Sequence, residues 1–481
     1  MIQAIINIFK ISDLRNKVLF TIGMLAVYRI GFWIPVPGID QSALADTFSR
    51  ARVDQSGLGR VADFVSIFSG GQLGKSTVFG LGIMPYITAA IIFQVFGTVS
   101  ERLKKIKEDG AAGQQKIQEY TRYLTILMCV IQAVGWLVMI HRQNLIYTNW
   151  ADNPVWWVMA ITAMTAGTIF LMWLGEQIDR FGIGNGASLI ITAGILARMP
   201  NALMWVLQNS PIGQFGFIST LFNIDPKGDT QMSWLGVLML GASFFTVVAG
   251  AVLITVAQRR IPIQQAKHTR GRKVYGGQRS YLPLRINHSG VMPIIFASSL
   301  MVFPSAGFSF LAEHAQANDM AVWWTSTTRF LAENFQMGTA FPYILVYVFM
   351  IYFFSYLWTT VQFNPEDMAK QLRDSGSFIP GLRPGPRTAE YLETVLERIT
   401  YVGAGFLSVI AVIPTVVASS MKVPFFVAAF LGGTGLLIVV SVGLDFIQRI
   451  EANLLMRNMS GFLGGNDQIG GGGPRVRNPR N

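Results

Sequence analysis

The sequence predicts an all-α polytopic membrane protein, and three observations carry that prediction. The first is composition. Of 481 residues, 51% are hydrophobic and 13% charged, about half the charge of an ordinary soluble domain, and mean hydropathy is +0.43. Several soluble domains of this total length would lack the polar residues to cover them, which excludes an ordinary cytosolic enzyme. The second is that stretches without ionisable residues recur along the whole chain. The third is an uneven division of lysine and arginine between the segments that join those stretches.

A helix needs about 20 largely apolar residues to cross a hydrocarbon core. Val18 to Val36 is interrupted only by Arg29 and ends in Pro35-Val36-Pro37-Gly38, without a small-residue cleavage site. It is therefore expected to be a retained span and not a signal peptide. Uncharged stretches then run from Ser76 to Ser100, Tyr123 to Ile140, Asn153 to Gly175 and Phe181 to Ala197. Five more run from Thr230 to Gln258, Ile286 to Ala312, Asn334 to Pro365, Ile399 to Met421 and Val423 to Leu444. Ten spans result, and an even number puts both termini on one side. That side carries 28 of the 38 Lys and Arg residues, the other side 9, with Arg29 inside the first span. Basic residues collect on the inner face, so both termini are expected to be cytoplasmic. The net charge of +12 is then mostly a topological signal, and nucleic acid is not needed to explain it.

Two cytoplasmic loops stand out, 258–287 and 362–400. The first holds eight basic residues and no acidic one between Arg259 and Arg285: Arg259, Arg260, Lys267, Arg270, Arg272, Lys273, Arg279 and Arg285. Gly271, Gly276 and Gly277, with Tyr275 and Tyr281, predict an ordered hairpin. Charge alone leaves two readings open. The loop rests on anionic headgroups, or it docks something large and acidic, such as ribosomal RNA or a cytosolic motor. The second loop mixes five basic with six acidic residues and holds Pro365, Pro380, Pro384 and Pro386, which predicts a structured protrusion. The Gly-rich tail after Ser460 is expected to be disordered.

Motifs for bond chemistry fail on inspection. Gly70-Gly71-Gln72-Leu73-Gly74-Lys75-Ser76 ends like a phosphate-binding loop, but Ser69 stands where the first glycine belongs. Gly182-Ile183-Gly184-Asn185-Gly186-Ala187 meets a weak dinucleotide pattern without a preceding strand, and reads more simply as a tight turn before a helix. His141, His268, His288 and His314 lack ligand spacing, and no paired carboxylates lie inside a span. The single Cys129 can form neither an internal disulfide nor a cysteine metal cluster. No catalytic residue, metal or cofactor is expected. Ion-coupled carriers hold ionisable groups near the midplane; here only Arg29 is unavoidably inside a span, and snorkelling or pairing accounts for it. Phe64 to Gly74 is too short to cross and too apolar to sit free in water, so it reads as an interfacial or re-entrant piece.

Ile34-Pro35-Val36-Pro37-Gly38-Ile39-Asp40, Phe68-Ser69-Gly70-Gly71 and Gly80-Leu81-Gly82-Ile83-Met84-Pro85-Tyr86-Ile87 resemble the SecY family of bacterial protein-translocation channels. So do Leu171-Met172-Trp173-Leu174-Gly175-Glu176-Gln177, the 182–186 turn and Phe296-Ala297-Ser298-Ser299. Phe363-Asn364-Pro365 and Pro380-Gly381-Leu382-Arg383-Pro384-Gly385 follow in the family's order, and the likeness runs through Asp445-Phe446.

The resemblance implies ten transmembrane helices in two inverted five-helix halves around a central pore, with a short plug helix. The halves would be 18–206 and 234–445. A cytoplasmic amino terminus at 1–17, an external loop at 207–233 and a cytoplasmic Gly-rich tail at 446–481 would complete the chain. It further places the plug at 62–74, with Phe64, Ile67, Phe68, Gly70 and Gly71, and a pore ring at Ile83, Ile87, Ala187, Ile191, Ile295 and Ile438. Ile83 and Ile87 are four apart, as one helix face requires; Ala187 stands where the family usually has a bulky aliphatic residue. A lateral gate would lie between spans two and three and spans seven and eight. Arg259, Arg260, Lys267, Arg270, Arg272, Lys273 and Arg383 would dock the ribosome or the SecA ATPase, although Gln265-Ala266-Lys267-His268 departs from the family's usual form. Implied partners also include the small membrane subunits SecE and SecG, signal peptides, nascent chains and membrane lipids.

The function so implied is passive and non-enzymatic. Unfolded secretory polypeptides cross the bacterial cytoplasmic membrane, and hydrophobic segments are released sideways into it. The rival is a secondary transporter of a small solute, built from five-plus-five inverted repeats.

Overall fold

The computed structural model describes residues 11–53, 76–150, 153–211, 233–265, 268–270, 273–275, 279–287, 290–317, 321–335, 340–421, 423, 427, 430 and 433–463. In chain order the first helices are α1 (Ser12–Gly31), α2 (Gln41–Val53), α3 (Met84–Val99) and α4 (Glu101–Glu108). Next come α5 (Ala111–Arg142), α6 (Pro154–Phe181), α7 (Gly186–Leu196), α8 (Met199–Asn209) and α9 (Trp234–Val256). Four strands follow, β1 (Gln258–Gln265), β2 (His268–Arg270), β3 (Lys273–Tyr275) and β4 (Arg279–Arg285). The chain then forms α10 (Met292–Ala317), α11 (Val322–Asn334), α12 (Phe341–Gln362) and α13 (Pro365–Asp374). It ends with β5 (Ser377–Phe378), α14 (Pro386–Met421) and α15 (Thr434–Leu463).

Among the described residues seven helices are long and apolar enough to cross a membrane: α5, α6, the α7–α8 pair, α9, α10, α12 and α14. Helix α1, the shorter apolar α3 and the apolar start of α15 stand at the other three expected positions. The ends differ from the uncharged stretches for local reasons. Helix α1 stops at Gly31, since Pro35 and Pro37 cannot continue it. The fifth span runs past Ala197 to Asn209, because Pro200 falls in the first turn of α8, where its missing N–H costs nothing. Helix α15 extends well beyond Leu444 to Leu463: Ile450 and Phe446 pack against Leu14 and Ile183, and Arg449 pairs with Asp445 at 2.8 Å.

The packing repeats with a period of five spans. In the first half α1 packs on α6 and α7, α3 on α5, α5 on α6, and α6 on α7. In the second half α9 packs on α14 and α15, α10 on α12, α12 on α14, and α14 on α15. Each of these contacts has its counterpart five spans later, although α3 also touches α6. The halves meet through equivalent spans, α3 on α10 and α7 on α15, as a two-fold axis between them produces. Five crossings reverse direction, so the halves are inverted.

Two motifs act as joints. Asn185 caps α7, its Oδ1 accepting from the Ser188 N–H at 3.0 Å, while Asp179 Oδ1 accepts from the Gly186 N–H at 2.7 Å. A Cβ on Gly186 would collide with the Gly175 carbonyl, so glycine lets α6 and α7 close. The stretch is a tight turn before a helix, as its sequence suggests. At the other end of the first half, Gly38 (φ +83°) leaves room for Trp156, whose indole N–H donates to the Pro37 carbonyl at 3.0 Å. Pro35 bridges to Thr77 and Ile39 to Ile146, so the proline motif straps spans one, two and three together.

The fold is not wholly helical. β1 pairs antiparallel with β4, Ile261 opposite Leu282, and the two-residue β5 adds to the other edge of β1, Ser377 opposite Gln265. Ile261 and Leu284 from the sheet close a small core with Phe363, Ile379, Leu392 and Val395. The two long loops are thus one structure.

Gly186→Ala should cost about 1–3 kcal/mol, an overpacking penalty. Gly241→Ala, where an added carbon meets nothing within 4 Å, should be neutral or gain up to about 1 kcal/mol. Thermal melts followed through thiol-dye reaction of the buried Cys129 measure both.

Candidate functional site

A cavity of about 430 Å³ opens on the face that carries the sheet. Its walls come from the turn before α7 (Gly184, Asn185), from Arg285 and Asn287 after β4, from Gln362 ending α12, and from Asp445 on α15. Three charged residues line it, Arg285, Asp445 and Arg449, for one net positive charge. Asp445 pairs with Arg449, and Arg285 Nη2 donates to Gln448 Oε1 at 3.0 Å. Amides and hydroxyls make up much of the rest. Such a wall wets readily without selecting one ion.

Three helices each carry a residue lining this mouth and an isoleucine about one turn, roughly 5 Å, further into the membrane. They are Ser188 and Ile191 on α7, Met292 and Ile295 on α10, and Ser441 and Ile438 on α15. Ile83, Ile87, Ile191, Ile295 and Ile438 are each at most 5% exposed and belong to a single apolar cluster, with the half-buried Ala187 packed against it. Five of the six residues singled out from the sequence therefore belong to one extended apolar cluster that takes in both halves, and the sixth packs against it. Ile83 sits just ahead of α3, and its carbonyl accepts from the Ile87 N–H at 3.1 Å, which stacks the pair. Sequence reasoning missed Val423, Val427 and Phe430, buried in the same cluster; inside an apolar run nothing distinguishes them.

Hydroxyls beside the cluster are turned inward on their own helices. Thr88 donates to the Met84 carbonyl at 3.0 Å, Thr192 to Ser188 at 2.8 Å, and Ser298 to Ile294 at 2.7 Å. These three hydroxyls are thereby bonded within their own helices.

Among the described residues, two side-chain contacts join α3 and α5 to α10. At mid-depth Ser299 Oγ on α10 lies 3.9 Å from Met84 Sδ on α3. Further from the sheet, the Arg142 guanidinium at the end of α5 sits 4.9 Å over the Phe310 ring of α10. A third pair lies within the first half, where Arg122 grips Glu176 through both carboxylate oxygens at 2.9 and 2.6 Å. The sequence could have suggested that pair only as the charges flanking spans three and four.

Arg259 and Arg260 are exposed on β1, and Arg270 and Lys273 face each other across the β2–β3 pair. Arg383 is exposed in a turn set by Gly381 (φ +88°) and Gly385 (φ +132°), its carbonyl accepting from Thr388 Oγ1 at 3.0 Å. Leu382 and Ile379 seat that turn on the same small core as Ile261 and Leu284. Residues more than a hundred positions apart thereby share one platform, which no local pattern announces. Lys267 and Arg272 lie outside the described residues, as do Phe64, Ile67, Phe68, Gly70 and Gly71.

A family model described as SecY matches residues 77–447. The protein translocase subunit SecY of Streptomyces coelicolor is 39% identical over 478 residues, covering 96% of this chain and 100% of that one. The subunit of the same name from Thermotoga maritima is 37% identical over 464 residues, covering 96% and 98%. Among solved structures, one titled "The structure of a protein conducting channel" superposes with a TM-score of 0.57 at 19% identity over 93% of each chain. "Sec61 in the Canine ribosome-channel complex from the endoplasmic reticulum" does so with a TM-score of 0.53, also at 19% identity over 93% of each. Structural likeness at that identity concerns the fold; the sequence matches go further, and on them the chain belongs to the SecY family.

Proposed function

We propose that this protein is a channel that conducts unfolded secretory polypeptides across the bacterial cytoplasmic membrane and lets hydrophobic segments leave sideways into it. The observation that carries the reading is the apolar isoleucine cluster beneath a mouth lined by amides, hydroxyls and a few charges. A hydrophobic constriction gates by dewetting, so it holds back ions and small solutes. Isoleucines form no specific contact with a passing chain, so many sequences can part them. A carrier of small solutes would instead need ionisable groups at the constriction, and none of the positions assigned to the ring carries one.

Sideways release follows from area. Each Å² of apolar surface moved from water to lipid contributes about 25 cal/mol, so a long apolar segment favours the bilayer and a polar one continues outward. The gate is assigned to the seam where α3 and α5 face α10 and α12, held closed by the Met84–Ser299 and Arg142–Phe310 contacts. Residues 62–74 would act as the plug on the outer side.

Driving force comes from outside the membrane. The basic hairpin and the Arg383 turn, on their shared platform, would receive a ribosome or the SecA ATPase; a solved neighbour is described as a ribosome–channel complex. SecE and SecG would pack against the apolar exterior, and signal peptides and nascent chains would be the cargo. Both termini would then be cytoplasmic, on the side of the platform.

Replacing Ile83, Ile87 and Ile191 together by glycine should raise ion conductance in planar bilayers at least about tenfold, since the dewetted barrier is lost; unchanged conductance would rule out the ring. Arg383→Glu removes charge-assisted contacts worth about 1.5–3 kcal/mol. Motor-driven translocation into vesicles should fall about tenfold or more while assembly is unaffected, and normal transport would end the docking role. In a Cys129→Ala background, oxidising the Met84→Cys, Ser299→Cys pair should stop insertion of hydrophobic segments, and reductant should restore it. Insertion that continues across the closed disulfide would put the gate elsewhere.

A further inference from the structure

Helix α11 lies on the face opposite the sheet, between the ends of α10 and α12, and packs on both. At 13 residues it is too short to cross a membrane. Its sides are sharply divided. With about 100° between successive residues, Arg329 and Glu333 share one side, ion-paired at 2.9 Å. Trp324 and Leu331 stand on the opposite side. Thr328, 2% exposed, faces the protein, while Trp323 and Phe330, 69% and 64% exposed, point away from it.

Three threonine hydroxyls and one amide on the helix are bonded to its own backbone. Thr327 donates to the Trp323 carbonyl at 2.7 Å, Thr328 to Trp324 at 2.9 Å, Thr325 to Val322 at 3.0 Å, and Asn334 to Phe330 at 2.8 Å. The aromatic side can therefore enter a medium that offers no hydrogen bonds. That side also continues a surface already facing such a medium: Phe310 and Leu311 on α10 and Phe341 and Leu345 on α12 are exposed on helices that cross the membrane.

We propose that α11 is a membrane-interface anchor, with Trp323 and Phe330 lodged among the headgroups and upper acyl chains of the leaflet opposite the sheet, and the Arg329–Glu333 pair in water. Tryptophan favours that layer, and an amphipathic helix binds it through its apolar face. Because α11 is packed on α10, the anchor ties the outer end of one wall of the seam to the lipid surface. The proposal rests on the spans being in a membrane, not on what the pore conducts.

Spin labels on single cysteines in a Cys129→Ala background test it in phosphatidylcholine–phosphatidylethanolamine liposomes. Labels at Trp323→Cys and Phe330→Cys should collide several-fold more with oxygen than with a water-soluble nickel chelate, and labels at Arg329→Cys and Glu333→Cys the reverse. Thr327→Cys keeps both aromatics and should resemble the first pair, which covers the case in which losing an aromatic disturbs the fold. Nickel access at 323, 327 and 330 equal to that at 329 would overturn the proposal, because the helix would stand in water. Shielding from both reagents would overturn it too, because another polypeptide would cover the face. A channel without conductance or cargo but with this label pattern would leave the anchor standing, so the two readings fail separately.

Discussion

In the proposed channel, an apolar closure at mid-depth is the constraint on which the rest of the structure depends. A pore that must admit a polymer cannot be sealed by specific contacts, since these would select or trap what passes. It can be sealed by surfaces that water avoids, provided no nearby polar group reaches in. The hydroxyls of Thr88, Thr192 and Ser298 are bonded to their own helices, and the isoleucines come from both halves of the chain. Each half supplies only part of the seal. Neither can close the membrane alone.

That division means that the interface between the halves is made mostly by apolar packing. Equivalent spans touch, α3 with α10 and α7 with α15, but the side-chain links described across the first of these are a sulfur–hydroxyl approach and a cation over a ring. Contacts of this kind are worth about 1 kcal/mol or less at exposed sites. Within the first half, caps, glycine contacts and the proline strap fix the helices closely. A seam of apolar packing with few polar links can part without either half unfolding.

Much of this was legible in the sequence because a membrane span advertises itself by what it lacks. Stretches free of charge located the helices, and the turn at 182–186 followed from its glycines. The isoleucine positions came from family likeness; nothing in their spacing separates Ile295 or Ile438 from ordinary packing residues, and Val427 and Phe430 went unnoticed for that reason. Helix ends were less legible. Pro200 and Pro386 look like breaks, yet each falls in the first turn of a helix, where proline is tolerated. The mouth escaped notice because Ser188 and Ser441 are single small polar residues in apolar runs. The β1–β5 pairing escaped because a strand of two residues has no period to read.

That last pairing has a mechanical consequence. Hydrogen bonds between Gln264–Gln265 and Ser377–Phe378, with the small core behind them, couple the connection after α9 to the one after α12. Load applied to either is shared by the roots of four helices, α9, α10, α12 and α14, which all belong to the second half. An engine pushing on that patch would tilt the half as a unit, like a hand on a door plate.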